Sequence, residues 1–177
     1  MTDLGSAAPD FSLPEVDTDE TVSLTSFADA DVLVVMFICR HCPYVKHVEQ
    51  ELARLARDYQ PRNVAFVAIS SNDPEAYPED SPEGLAQQKQ LVGFPFPYLF
   101  DESQDVARAY KAACTPDFFV YDRDRRLAYR GRLDETRPGM GTPDGSDLRA
   151  ALDALLAGER PAPDQWPSMG CSIKFRS

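Results

Sequence analysis

The sequence predicts an α/β fold with a mixed central sheet flanked by helices, on three observations. The stretch "VLVVMFI" (32–38) is a continuous β-branched and aliphatic run, the pattern of a strand buried on both faces. Beyond it, Val45, Val48, Leu52 and Leu55 recur at helical spacing, so residues 41–58 form an amphipathic helix packed on that strand. "NVAFVAIS" (63–70) is a second buried strand, and strand, helix and strand in this order imply a right-handed parallel crossover.

The remaining elements follow in chain order. "APDFSLPEVDTDETVSL" places turn residues between short apolar stretches and predicts an N-terminal hairpin. The polar stretch "SNDPEAYPEDSPEG" predicts a long loop with solvated acids, then a helix capped by Ser81, opened by Pro82 and ended by Gly93. "FPYLF" predicts a short edge strand, with Phe94, Phe96 and Phe100 in the core. "DESQDVARAYKAAC" predicts a helix with Asp101 and Gln104 as a capping box and with Val106 and Tyr110 facing inward.

"DFFVYD" and "LAYRGR", joined by the charged turn "RDRR", predict an antiparallel hairpin. "SDLRAALDALL" predicts a last helix capped by Ser146, stopped by Gly158 and burying Leu148, Leu152 and Leu155. The proline-spaced tail "ERPAPDQWPSMGCSIKFRS" predicts an extended arm. No internal repeat is visible. Residues 1–158 therefore read as one domain and 159–177 as a C-terminal arm packed on or near it.

Composition narrows the function. Lys plus Arg (18) against Asp plus Glu (29) leaves a net charge of −11, which opposes nucleic acid and anionic membrane surfaces as partners. The longest apolar run is too short to span a bilayer. "MTDLGSAAPDFSLPEVD" has neither the basic start nor the apolar core of an export signal. Four cysteines in 177 residues are too few for a secreted disulfide scaffold. The expected setting is a reducing cytoplasm, where a Cys-x-x-Cys pair is catalytic or metal-bound.

That pair lies in "FICRHCPYVKH", where Cys39 and Cys42 stand at the junction of the central strand and the first helix. The thiolate is the nucleophile of disulfide exchange, and a helix N-terminus favours it. Cys39 is expected to feel that field, and Cys42, one turn on, to reach back and close a disulfide. Arg40 and His41 are potential cations that should stabilise the Cys39 thiolate and raise the potential within the roughly 150 mV, or about 7 kcal/mol, spanned by such pairs. Pro43 fixes φ in the first helical turn.

Thr115-Pro116, just before a predicted strand, offers a cis proline that could face the pair and present a bare backbone edge to an incoming chain. His47 sits on the helix as a solvated or acid-paired residue. Cys114 packs at a helix end or approaches the pair, and Cys171 either reaches the site as a third thiol or packs where the arm docks. A metal reading would recruit His41 or His47 beside the cysteines for copper(I) or zinc. No second Cys or His pair completes a structural zinc site, so no metal and no cofactor are expected.

Strand, Cys-x-x-Cys, helix, and a later Thr-Pro before a hairpin and final helix resemble the thioredoxin-like superfamily. The wider set "APDFSLPEVD", "FICRHCPYVKH", "SSNDPEAYPEDSPE", "CTPDFFVYD", "YRGRLDETRPG", "LRAALDALLAG" and "PSMGCSIKF" resembles the peroxiredoxin-like redoxins of the alkyl hydroperoxide reductase/thiol-specific antioxidant group. The resemblance implies a thioredoxin-like fold and two rival uses of the pair. As a thiol-disulfide oxidoreductase, Cys39 would attack, Cys42 would resolve and Thr115-Pro116 would position the partner. As a thiol peroxidase, Cys42 before Pro43 would be peroxidatic and Cys39 would resolve.

Partners implied are a protein or small-molecule disulfide or thiol, or a peroxide, with a reductant such as thioredoxin or glutathione. The peroxiredoxin proline ahead of the site is replaced here by "VVM", and its arginine before "FFVYD" by Thr115-Pro116-Asp117. Thioredoxin's buried acid is replaced by Leu33. The first two departures remove the helpers for peroxide chemistry and the third removes the proton shuttle of a strong general reductase; exchange is the expected activity, with a thiol peroxidase and a non-enzymatic metal-binding redoxin as alternatives.

Overall fold

A short antiparallel hairpin opens the chain, β1 (Ser12–Pro14) paired with β2 (Thr21–Ser23), in a computed structural model that describes residues 2–18 and 20–176. The apolar run forms β3 (Val32–Phe37), every residue of it buried. Helix α1 (Pro43–Tyr59) returns the chain to β4 (Val64–Ser70), which lies parallel to β3 with Val34 opposite Phe66. Then come α2 (Pro82–Val92), β5 (Tyr98–Phe100), α3 (Asp105–Tyr110) and β6 (Cys114–Thr115). The hairpin β7 (Asp117–Tyr121) and β8 (Leu127–Gly131), helix α4 (Ser146–Leu156) and β9 (Cys171–Ser172) complete it.

The main sheet runs β5-β4-β3-β7-β8, mixed because β7 is antiparallel to β3 while β4 and β5 are parallel to their neighbours. Period-two alternation splits β3 between two cores. Val34, Met36 and Ile38 pack with Val45, Val48 and Leu52 of α1, Leu85 of α2 and Leu148 and Leu152 of α4. Leu33, Val35 and Phe37 pack on the other face with Val106 and Tyr110 of α3 and Phe11 and Leu13 near the hairpin. Both faces are thereby covered, as a strand without polar residues requires.

Three local expectations need correction. Helix α3 is only six residues long, because Lys111 turns left-handed (φ 58) and closes it. Gln104 is its N-cap but makes no side-chain cap bond; Asp101 instead accepts from Ala107 N at 2.9 Å, and the Gln104 amide binds the carbonyls of Ser71 and Lys174. Helix α4 starts one residue earlier than expected: Gly145 at φ 67 is the N-cap and Ser146 the first helical residue. A left-handed cap favours glycine over serine, and the Asp134 carboxylate takes the Gly145 and Asp144 amides instead. Leu155, near the helix end, is only half-buried. The Ser81 cap, by contrast, accepts from Gly84 N at 3.1 Å, and Gly93 at φ 80 ends α2.

The tail is extended and bonded to the domain along its length. Ser168 donates to Asp117, Arg132 N to the Trp166 carbonyl, and Lys174 N to Asn72. Among the described residues after Gly158, Ile173 alone is buried. Among the described residues no helix is long and apolar enough to cross a membrane.

Candidate active site

The chain leaves the sheet at Ile38, and the next four residues form the loop into α1. Cys42, in extended conformation (φ −72, ψ 127), is the N-cap, with Pro43 at the start of the helix where its missing N–H costs nothing. Cys42, not Cys39, is therefore the residue at the helix end. The helix begins at Pro43 and not at residue 41, and those two residues decide which sulfur stands at its mouth.

Thr115-Pro116 is cis and faces the pair. Thr115 Oγ1 lies 3.4 Å from Cys39 Sγ, and the Thr115 carbonyl oxygen 3.5 Å from Cys42 Sγ. The backbone edge is not bare: β9 pairs antiparallel with β6, Thr115 opposite Cys171 and Cys114 opposite Ser172. This brings Cys171 Sγ to 2.7 Å from Cys42 Sγ. Both Cys39 and Cys42 are fully buried under this cover.

Charge in the cluster concentrates on Cys42. The neighbouring Cys39 thiol holds the Cys42 thiol below the ordinary thiol range, against the opposing effect of burial, and the Cys171 sulfur adds to it. Cys39 shifts the opposite way, through its proximity to Cys42, burial and the nearby Asp80 carboxylate. Cys171 is pushed up to about 11 by burial and by its bond to Cys42. Of the three clustered thiols, Cys42 is the one whose surroundings favour the thiolate.

Titration should show this directly. The ultraviolet thiolate absorbance of the reduced protein is expected to persist as pH falls from 8 towards 6, and to be absent throughout that range in Cys42→Ser; a wild type that loses the band near pH 8.5, as a free thiol does, would contradict the assignment. Stability has the matching sign. Below the ordinary thiol range the unfolded chain binds two protons at the pair and the folded chain one, so this pair makes stability rise with pH. Above that range the sign reverses, because Cys39 keeps its proton in the folded state.

Arg40 and His41, expected to stabilise the Cys39 thiolate, have these partners. Arg40 Nη1 donates to the Gly84 carbonyl at 3.0 Å and to Gln87 Oε1 at 2.8 Å, on the helix α2 side. His41 stacks on Tyr77 with centroids 4.4 Å apart, and its Nδ1 pairs with Asp80 Oδ2. Asp80, fully buried in the turn ahead of Ser81, also accepts from Arg40 N at 2.7 Å, His41 N at 3.1 Å and Asn72 Nδ2 at 3.0 Å. One carboxylate thus fixes the whole loop between the cysteines.

Gln88 helps from α2 by donating to the Cys39 carbonyl at 3.0 Å while accepting from Tyr98. Sequence reasoning missed both residues, having placed Asp80 in a solvated acidic loop. Its one usable signal was position, since a Ser-Pro helix start fixes the preceding turn close to the sheet's end.

The other candidates separate from the pair. His47 bonds Thr136 Oγ1 at 2.9 Å, and Thr136 in turn bonds Asp134. Cys114 points away from Thr115 along β6, beside Asp117, and burial raises its pKa to about 12. A metal reading gains one ligand: Cys39, His41 and Asp80 hold donor atoms within 4.8 Å of one another, although Asp80 already serves three residues' donors.

Comparison with solved structures places this geometry in known company. A conserved protein from Geobacillus kaustophilus is 54% identical with TM-score 0.96, covering 99% of this chain and 94% of that one. A protein from Sinorhizobium meliloti is 47% identical with TM-score 0.97, covering 100% and 97%. A thiol:disulfide interchange protein of the thioredoxin family from Chlorobium tepidum is 17% identical with TM-score 0.67, covering 88% and 99%, a likeness of fold. No curated protein matches the chain. The AhpC/TSA family model matches residues 4–130, and the chain belongs to that family of thioredoxin-like redoxins.

Proposed function

We propose that the protein is a thiol-disulfide oxidoreductase in which Cys42 attacks and Cys39 resolves. The observation that carries this reading is Cys42 at the N-cap of α1, with its sulfur and that of Cys39 both against Thr115 of the Thr115-Pro116 edge. The Cys42 thiolate attacks one sulfur of a substrate disulfide, forming a mixed disulfide and releasing the other sulfur as a thiolate. Cys39 then passes its proton to the departing substrate sulfur and attacks Cys42. The substrate has gained two electrons and the protein holds a Cys39–Cys42 disulfide, which a reductant such as thioredoxin or glutathione reopens. Run backwards, the same steps oxidise a dithiol.

This assignment reverses the order expected from sequence; it is supported by the position of Cys42 at the N-cap of α1 and by the lowering of its thiol, since attack needs the thiolate. Arg40, His41 and Pro43 act by holding the loop and the helix start, and Thr115 by its contacts to both sulfurs. In a reducing cytoplasm, the setting the cysteine usage suggests, the resting form would be the reduced pair.

The second reading, a thiol peroxidase, is favoured by the same depressed Cys42 thiol and by family membership. Peroxide would oxidise Cys42 to sulfenic acid, which Cys39 would condense with, releasing water. Against it, Arg40 is committed to Gly84 and Gln87, away from the sulfur.

The test is a pair of rates on reduced protein at one pH, with oxidised glutathione and with hydrogen peroxide. Fast disulfide exchange with peroxide consumption near that of a free thiol is expected. Rapid peroxide consumption with Cys42 sulfenic acid as the first product would replace exchange by peroxidase chemistry. A third reading, a metal-binding redoxin, is tested by equilibrium dialysis with copper(I) under reducing conditions, where no stoichiometric uptake is expected.

A further inference from the structure

The arm is attached where a substrate would be. A peptide disulfide approaching the cis Thr115-Pro116 edge would extend it as a strand and bring its sulfur to Cys42. In this chain residues 171–172 form that strand, and Cys171 Sγ stands 2.7 Å from Cys42 Sγ, longer than the roughly 2.05 Å of a disulfide bond and with nothing between the two sulfurs. With the arm in place Cys39 and Cys42 are both fully buried, so an external chain cannot reach either sulfur. The approach is tight: a Cβ on Gly170 would lie 1.9 Å from the Thr115 carbonyl oxygen.

Resting on the exchange reading above, we propose that the C-terminal arm is a built-in substrate strand, and that Cys171 is a third redox-active thiol forming a reversible disulfide with Cys42. Chemistry and balance are those of exchange. When a disulfide such as oxidised glutathione meets the reduced protein, Cys42 becomes the mixed disulfide. Attack on Cys42 by Cys171 releases the glutathione thiol, which takes the proton of Cys171, and leaves a Cys42–Cys171 bond. Cys39 can then attack Cys42 and free Cys171, an exchange in which no electrons are gained or lost.

An external chain is admitted when the arm lifts. Its hold is suited to that: around Cys171 it consists of a two-residue ladder, one buried side chain at Ile173 and hydrogen bonds that the arm donates to Asn72, Gln104 and Asp117, among others. These bonds can be exchanged for water at little net cost.

Disulfide mapping tests the proposal. Reduced protein is treated with oxidised glutathione, quenched in acid, alkylated, digested and read by mass spectrometry, for wild type, Cys39→Ser and Gly170→Ala. Wild type is expected to show Cys42–Cys171 beside Cys39–Cys42, and Cys39→Ser to show Cys42–Cys171 as its main product. Gly170→Ala, which displaces the arm without touching a sulfur, should lose the Cys171 linkage and keep Cys39–Cys42. A peptide disulfide should bind Gly170→Ala with a lower KM than wild type. If Cys171 stays fully alkylatable while Cys42 is consumed in wild type and in Cys39→Ser, the arm is packing only and the proposal fails. If Cys42 itself is not consumed, the exchange reading fails and this inference with it.

Discussion

Cys42→Ser should abolish disulfide exchange, with a loss on the order of 10³-fold or more, as removal of an essential nucleophile does. Cys39 cannot take over, because burial and the Asp80 carboxylate hold its thiol protonated. Cys39→Ser should behave differently: the first disulfide still forms at Cys42, and turnover slows because the resolving thiol is missing. In Cys39→Ser combined with Cys171→Ser, no thiol within reach can resolve, so a mixed disulfide on Cys42 should persist. Steady-state reduction of a peptide disulfide and mass analysis of the trapped species check both statements. Equal loss in Cys39→Ser and Cys42→Ser at the first, stoichiometric step would contradict the order.

Asp80→Ala should be the most damaging change outside the cysteines. A fully buried carboxylate accepts from Arg40 N, His41 N, the His41 ring and Asn72. Its removal strands those donors in a region that water does not fill. Each unsatisfied buried donor costs roughly 1–3 kcal/mol, and breaking a buried charged cluster roughly 3–5 kcal/mol. We expect a loss of about 3–5 kcal/mol in urea unfolding of the reduced protein. A second readout separates chemistry from folding. Removing the negative charge should also let Cys39 ionise more readily, so in folded Asp80→Asn the Cys39 thiol should be alkylated faster at alkaline pH than in wild type. A change of under about 1 kcal/mol on truncation would mean that the loop is held by something else.

Much of the frame was legible because local pattern and global position agree in it. Six consecutive buried residues in β3 left no other place than the middle of a sheet, and the Ser81-Pro82 start and Gly93 stop bounded α2 at both ends. The cis Thr115-Pro116 beside the pair followed from the same order of elements. What the sequence hid lies in contacts across the chain. Asp80 looks like one acid among several in a polar loop, and only the fold carries it to residues 40 and 41. Gln104 looked like half of a capping box, yet its amide and carbonyl bind Lys174 and Arg176 of the arm, some seventy residues on.

The assignment of the two sulfurs turned on a boundary of two residues. Pro43 signalled that boundary, since proline prefers the first helical position and thereby makes the preceding residue the cap. Cys171 stood open as third thiol or packing residue, because nothing in a proline-spaced tail says where its strand will pair.

The most direct test of the account is which sulfur reacts first. Reduced wild-type protein is mixed with less than one equivalent of oxidised glutathione and quenched in acid over the earliest times. Cleavage after Arg40 then separates Cys39 and Cys42 into different peptides for mass analysis. Glutathione on the Cys42 peptide, decaying as disulfides between Cys42 and the other thiols appear, is the predicted result. Glutathione on the Cys39 peptide ahead of any on Cys42 would contradict it, and would return the attacking role to the first cysteine of the pair.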